Sequence, residues 1–154
     1  GEFAIPLRHG LTIGEAARLF NQEVSARLEV VTMKDWDPEQ GWDHSRKWVL
    51  PSPNLPTLEA TWVYPGTVLL EGTNASEGRG TGLPFQLVGA PYISDGASLI
   101  EKVLKIIPPT GFILRPASFK PTFHKWADQE CRGLQIHITD PEQFPSVGCS
   151  IKWF

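Results

Sequence analysis

Thr12-Ile13-Gly14-Glu15-Ala16-Ala17-Arg18-Leu19-Phe20-Asn21-Gln22-Glu23-Val24, followed by Leu28-Glu29-Val30-Val31-Thr32-Met33, is the stretch on which the fold turns. Thr12 and Glu15 stand in capping-box register: the threonine hydroxyl can accept from the Glu15 N–H while the glutamate carboxylate reaches back to the Thr12 N–H. A helix is therefore predicted to open at Ile13. Ile13, Ala16, Ala17, Phe20 and Val24 recur at helical spacing and give it one apolar face, ending near Ala26. Leu28 to Met33 is short and mostly aliphatic, which predicts a buried strand. A helix feeding a strand is an element typical of α/β sheets.

Working outward, Lys34 to Pro65 carries Trp36, Trp42, Trp48 and Trp62 among prolines, including Pro51-Ser52-Pro53-Asn54-Leu55-Pro56. Each X-Pro step biases the preceding residue to extended backbone, so the segment reads as a long, ordered, aromatic-pinned loop. Val68-Leu69-Leu70 reads as a short strand entering a glycine-rich turn. Beyond it the pattern predicts strands at Phe85 to Gly89, Phe112 to Arg115 and Leu134 to Thr139. A helix is expected over Gly96 to Ile107 and another after Asp140-Pro141. Leu99, Ile100, Val103, Leu104 and Ile107 form one stripe of the middle helix. Gln135, His137 and Thr139 alternate with Leu134, Ile136 and Ile138, one wet face and one dry. The class is α/β, turning α+β in the second half.

The balance of 14 Lys+Arg against 17 Asp+Glu leaves a net charge of −3. No basic field is present to hold a phosphate backbone or an anionic bilayer, which argues against nucleic-acid and membrane partners. No apolar run approaches the ~20 residues that span a bilayer. Cys131 and Cys149 offer neither a zinc spacing nor a disulfide framework, and two free thiols are expected. His44, His124 and His137 show no metal spacing, so no metal is expected. Gly1-Glu2-Phe3 reads as a cloning remnant and not as a signal peptide.

The densest chemistry lies in Glu71-Gly72-Thr73-Asn74-Ala75-Ser76-Glu77-Gly78-Arg79-Gly80-Thr81-Gly82. Glycines permit left-handed turns and close backbone approach, so polar side chains and N–H groups can converge on one small ligand such as a sugar or a phosphate. The stretch ends in neither a P-loop lysine nor the Gly-x-Gly-x-x-Gly pattern, which disfavours nucleotides. Glu71 and Glu77, six positions apart across a glycine turn, could supply the two carboxyl groups that glycoside hydrolysis uses. The same residues also read as a turn network in which Arg79 neutralises one of the acids. His9, just before the capping box, could face a ligand at the helix N-terminus.

These residues also carry a resemblance. Ile5 to Glu15, Pro51 to Glu59, Glu71 to Thr81 and Leu87-Val88-Gly89-Ala90-Pro91-Tyr92 closely resemble, in order and spacing, a bacterial family of exo-β-N-acetylmuramidases of the NamZ type. Phe119 to Phe123 and Cys131 to Asp140 resemble it too, so the likeness runs from Ala4 to Phe144. It implies a Rossmann-like domain followed by a smaller α/β domain, with a cleft between them. It also implies release of N-acetylmuramic acid from peptidoglycan fragments, with no nucleotide cofactor, by a bacterial parent that is secreted or periplasmic.

On this basis residues 4–82 are expected to hold the end of the Rossmann-like domain with its site loops, and 83–154 the small α+β domain. His9, Ser52, Asn54, Glu71, Asn74, Glu77 and Arg79 are the expected sugar-binding residues, Arg79 meeting the lactyl carboxylate. Glu77 is the candidate acid, while the family's upstream Gly-Pro-Glu-His-Gly-like segment is expected to supply the catalytic glutamate. The chain alone is then a fragment of a glycoside hydrolase that binds the sugar without turnover. The competing class is a non-catalytic carbohydrate-binding or interaction module. An exposed apolar face on the first helix and strand would favour a homodimer.

Overall fold

The computed structural model describes residues 4–6, 8–43 and 45–153. The expected cloning remnant, Gly1 to Phe3, and His44 lie outside the described residues. Contacts divide the chain into two units, Gly1–Lys47 and Trp48–Phe154.

In the first unit, α1 (Ile13–Val24) begins with the capping box read from the sequence. The Glu15 carboxylate accepts from the Thr12 N–H at 2.7 Å, and Thr12 Oγ1 accepts from the Glu15 N–H at 3.2 Å. Those bonds hold the Glu15 carboxyl below the usual carboxylate range. Gly14 permits a close approach, since a Cβ there would stand 2.5 Å from Val30 Cγ1. Leu28 to Met33, expected as a strand, carries no regular secondary structure. A strand exists only as one side of a hydrogen-bonded ladder, and every ladder among the described residues belongs to the second unit.

The second unit is a three-stranded antiparallel sheet with helices packed on it. β1 (Leu87–Ala90), β2 (Phe112–Phe119) and β3 (Cys131–Ile138) lie in the order β1-β3-β2, with Gly89 opposite Gly133 and Leu114 opposite Ile136. Of the helices, α2 (Leu58–Thr67) precedes the sheet in the chain. α3 (Gly96–Ile106) starts at Asp95, whose side chain accepts from the N–H groups of Ala97 and Ser98. Its apolar stripe turns Val103 and Ile107 into the core. Gly96 and Gly133 let helix and sheet touch: a Cβ on Gly96 would lie 2.1 Å from the Gly133 carbonyl oxygen. Leu134 and Ile136 are buried as the alternation predicts, but Gln135 is buried as well. β3 is the central strand, and Gln135 Oε1 is satisfied there by Arg115 Nη2.

In the second unit three elements differ in kind or place from the sequence expectation. The proline-rich loop ends earlier than predicted, because α2 occupies its last part, capped by Thr57 Oγ1 on the Ala60 N–H. Val68-Leu69-Leu70 is not a strand; it opens a 3-10 helix, Val68–Gly72, that continues directly from α2. After Asp140-Pro141 the chain makes a turn, and α4 begins only at Ser146 (Ser146–Trp153). The core joins Val63 of α2, Leu70 of the 3-10 turn, Val88, Phe112, Leu134 and Ile136 of the sheet, Phe144, and Cys149 of α4.

Both cysteines are free, as the sequence implied, and both are buried. Burial pushes the Cys149 thiol up to about 11, so near pH 8 only on the order of one thiol in a thousand is the reactive thiolate. A thiol reagent should therefore react slowly with the native chain and quickly in denaturant, and a reductant should leave the melting temperature unchanged. Prompt labelling of Cys149 in the native protein would contradict this.

Candidate functional site

The glycine-rich stretch runs from the 3-10 turn to β1 and is pinned at both ends. The Ser76 N–H donates to the Gly89 carbonyl at 2.8 Å, and the Phe85 N–H donates to the Glu77 carbonyl at 2.6 Å. Gly78 (φ +79°) and Gly80 (φ +82°) take left-handed backbone in close quarters. A Cβ on Gly80 would lie 2.6 Å from the Phe123 carbonyl oxygen. At Gly80 the stretch meets the β2–β3 connection, where the Thr122 N–H donates to the Gly80 carbonyl at 2.9 Å.

These loops enclose Glu77. Its side chain is 0% exposed and lies among three potential cations. Lys125 Nζ stands 3.2 Å from Oε2, while Arg79 Nε at 3.2 Å and His124 Nδ1 at 3.3 Å approach Oε1. Lys125 spends its remaining donors on the carbonyls of Leu70 (2.6 Å) and Ala75 (3.0 Å), which uses all three of its N–H groups. Arg79 Nε donates to Glu71 Oε1 at 3.0 Å and Nη2 pairs with the same oxygen, so no donor is aimed at Glu77 Oε1. The guanidinium also stacks over Phe85, 4.9 Å from the ring centroid. From this cluster Arg79 (24% exposed) and His124 (45%) reach the surface. Arg79 Nη1 makes no hydrogen bond among the described residues.

The β2–β3 connection holds an uncommon backbone: His124 (φ 70°), Trp126 (φ 59°) and Asp128 (φ 59°) are left-handed and none is glycine. Such residues cost ~1–3 kcal/mol each and persist only where the surroundings fix them. Here the Asp128 N–H donates to the Pro121 carbonyl at 2.8 Å, and Trp126 Nε1 donates to the Asn74 carbonyl at 2.7 Å. Tyr92 OH donates to Asn74 Oδ1 at 2.7 Å and its ring meets Trp126 edge-on.

Of the residues singled out from the sequence, Glu71, Glu77 and Arg79 are in direct contact and Asn74 is joined to them through the same turn. Arg79 pairs with both acids, which is the turn network the sequence also allowed. Ser52 and Asn54 form a turn of their own, Ser52 Oγ accepting from the Asn54 N–H at 3.3 Å. They share no hydrogen bond or ion pair with the Glu77 cluster among the described residues. His9 belongs to the first unit, where its Nδ1 accepts from the Leu11 N–H at 2.9 Å. His124, Lys125, Trp126 and Tyr92 were not singled out. The sequence signal of the first three is the run Phe123-His124-Lys125-Trp126, cationic and aromatic groups on a predicted loop, and Tyr92 closes the motif from Leu87 to Tyr92. Nothing local ties that run to Glu77, 47 residues earlier.

The fold and the loop cluster define a mixed α/β chain of the DUF1343 type. A crystal structure of a DUF1343 family protein from Bacteroides fragilis superposes with a TM-score of 0.81 at 28% identity, over 99% of this chain and 41% of that one. A second such structure from Bacteroides fragilis gives a TM-score of 0.59 at 32% identity, over 86% of this chain and 35% of that one. The model of the family described as exo-beta-N-acetylmuramidase NamZ, C-terminal, matches residues 62–154, and the corresponding N-terminal model matches residues 1–59. The chain belongs to the exo-beta-N-acetylmuramidase NamZ family. It is also 50% identical over 150 residues to the peptidoglycan beta-N-acetylmuramidase NamZ of Bacillus subtilis, spanning 96% of this chain and 36% of that relative.

Proposed function

We propose that this chain is part of a peptidoglycan-acting glycoside hydrolase that releases terminal N-acetylmuramic acid, and that by itself it binds the sugar without hydrolysing it. The observation that carries the reading is the Glu77–Arg79–His124 cluster at the surface of a glycine turn, in a chain of this family. The two family matches, 1–59 and 62–154, support a two-part organisation in which the first part would close a Rossmann-like domain and the second would form the smaller domain. Glu77, buried beneath Arg79 and His124, would orient the groups that touch the ligand. Arg79 Nη1 is the donor left for the lactyl carboxylate, and a charge-assisted bond of this kind is shorter and stronger than a neutral one. Asn74 would hold a neighbouring polar group of the sugar, and Ser52 and Asn54 would complete the rim. No cofactor enters this scheme.

The test is a titration of the chain with N-acetylmuramic acid and with N-acetylglucosamine, which lacks the lactyl group, alongside a release assay on a chromogenic N-acetylmuramide. Binding of the first sugar is expected to be weakened at least ~10-fold by Arg79→Ala, with no release by the chain alone. Equal affinity for both sugars, unchanged by Arg79→Ala, would remove the lactyl assignment. That result would leave a general carbohydrate-binding module.

We also propose self-association through the first unit. α1 buries none of its residues, Ile13 and Val31 are almost wholly exposed, and Val24, Leu28 and Met33 are exposed too. Apolar groups gathered in this way mark an interaction surface. Light scattering should find a concentration-dependent dimer, and Ile13→Asp with Val31→Asp should shift it toward monomer. A strictly monomeric chain across a wide concentration range would overturn the proposal.

A further inference from the structure

We propose that His124 is a ligand-contacting residue of this site, its Nδ1 edge turned to the buried Glu77 carboxylate and its Nε2 presented to a hydroxyl of the bound amino sugar. The proposal rests on the reading above and extends it to a residue on a different loop.

Glu77 Oε1 is buried and receives no hydrogen bond in the structure. Native proteins leave few such atoms without a partner, so each one calls for an explanation. Arg79 Nε, 3.2 Å away, directs its N–H to Glu71 instead. His124 Nδ1, at 3.3 Å, is the other donor within reach. A small rotation of the imidazole completes an Nδ1–H bond to Oε1, and a neutral ring so held has Nε2 as an acceptor. A carboxylate that fixes the tautomer and orientation of an imidazole is how proteins make one ring nitrogen available to a ligand.

The backbone supports the same role independently. His124 is left-handed at φ 70°, and the Thr122 N–H on Gly80 together with Lys125 Nζ on Leu70, Ala75 and Glu77 anchors both of its flanks. The imidazole is nonetheless 45% exposed. A histidine needed only to satisfy Glu77 could have been buried with it. This one approaches the same carboxylate oxygen as Arg79 and, like Arg79 and Glu71, reaches the surface.

His124→Asn separates the two edges of the ring. Asparagine tolerates left-handed backbone better than most residues, and its amide nitrogen can take the place of Nδ1 beside Glu77 while nothing replaces Nε2. Long-range proton–nitrogen NMR of the labelled full chain at mildly alkaline pH should show the Nδ1–H tautomer at His124, lost in Glu77→Gln. Titration with N-acetylmuramic acid should move the His124 ring signals, and His124→Asn should weaken binding by ~5–10-fold with the melting temperature nearly unchanged. An Nε2–H tautomer in the wild type, or wild-type affinity in His124→Asn, overturns this inference and leaves the sugar-binding reading in place. No sugar binding by the wild type overturns both.

Discussion

Glu77→Ala should destabilise the second unit by ~3–5 kcal/mol, the usual consequence of removing one partner from a buried ion pair. The wild-type carboxylate is wholly buried and faces Lys125, whose side chain is 19% exposed. Alanine would leave that ammonium with two carbonyl partners and no counter-charge, and the void left by the lost carboxylate would add to the loss. Arg79 keeps Glu71, so the damage should centre on Lys125 and the loop it ties down. Glu77→Gln preserves the volume and one acceptor for Lys125, and its cost should be about half as large. Urea unfolding with an unchanged m-value is the measurement. Combining Glu77→Ala with Lys125→Met should cost less than the sum of the two single changes by ~1.5 kcal/mol or more. A loss below ~1 kcal/mol for Glu77→Ala would mean that water replaces the carboxylate and that the cluster is not the electrostatic centre of the unit.

Gly66→Ala is the second large effect, and its sign runs against helix propensity. Within a helix, alanine is favoured over glycine by ~1 kcal/mol, which alone would make the substitution stabilising. At Gly66, however, a Cβ would stand 2.1 Å from the Ser146 carbonyl oxygen and 2.5 Å from Ser150 Oγ. Neither helix can move aside cheaply. The Gly66 N–H donates to Ser146 Oγ at 3.0 Å, and that hydroxyl donates to the Val63 carbonyl at 3.1 Å, so α2 and α4 are bonded where they touch. Separating them would break both buried bonds and loosen the packing of Val63 and Cys149. A net loss of ~3 kcal/mol or more is expected, or failure to fold. Gly72→Ala, where a Cβ would meet only open space, should change stability by less than ~0.5 kcal/mol. Thermal unfolding of the pair checks the argument, and a Gly66→Ala chain as stable as wild type would refute the close helix contact.

Local chemistry was legible from residue order alone. Thr12 and Glu15 announced the start of α1 because both halves of a capping box lie within one turn, and the stripe from Leu99 to Ile107 announced α3 for the same short-range reason. The dry face of β3 followed from alternation at Leu134 and Ile136, and the glycine-spaced polar run from Glu71 to Gly82 marked the loop that carries Glu77 and Arg79. The family resemblance was carried by the same motifs. α2 was hidden because the prolines before it and Pro65 inside it signal loop, whereas packing against α4 overrides that signal. Leu28 to Met33 has strand composition, but a ladder needs a second strand that no pattern within the segment can supply. The burial of Glu77, its meeting with His124 and Lys125, and the left-handed backbone that brings them there were decided only by tertiary structure. They join residues 47 and 48 positions apart, and such proximity is a property of how the sheet folds back, to which neither loop's own sequence makes any reference.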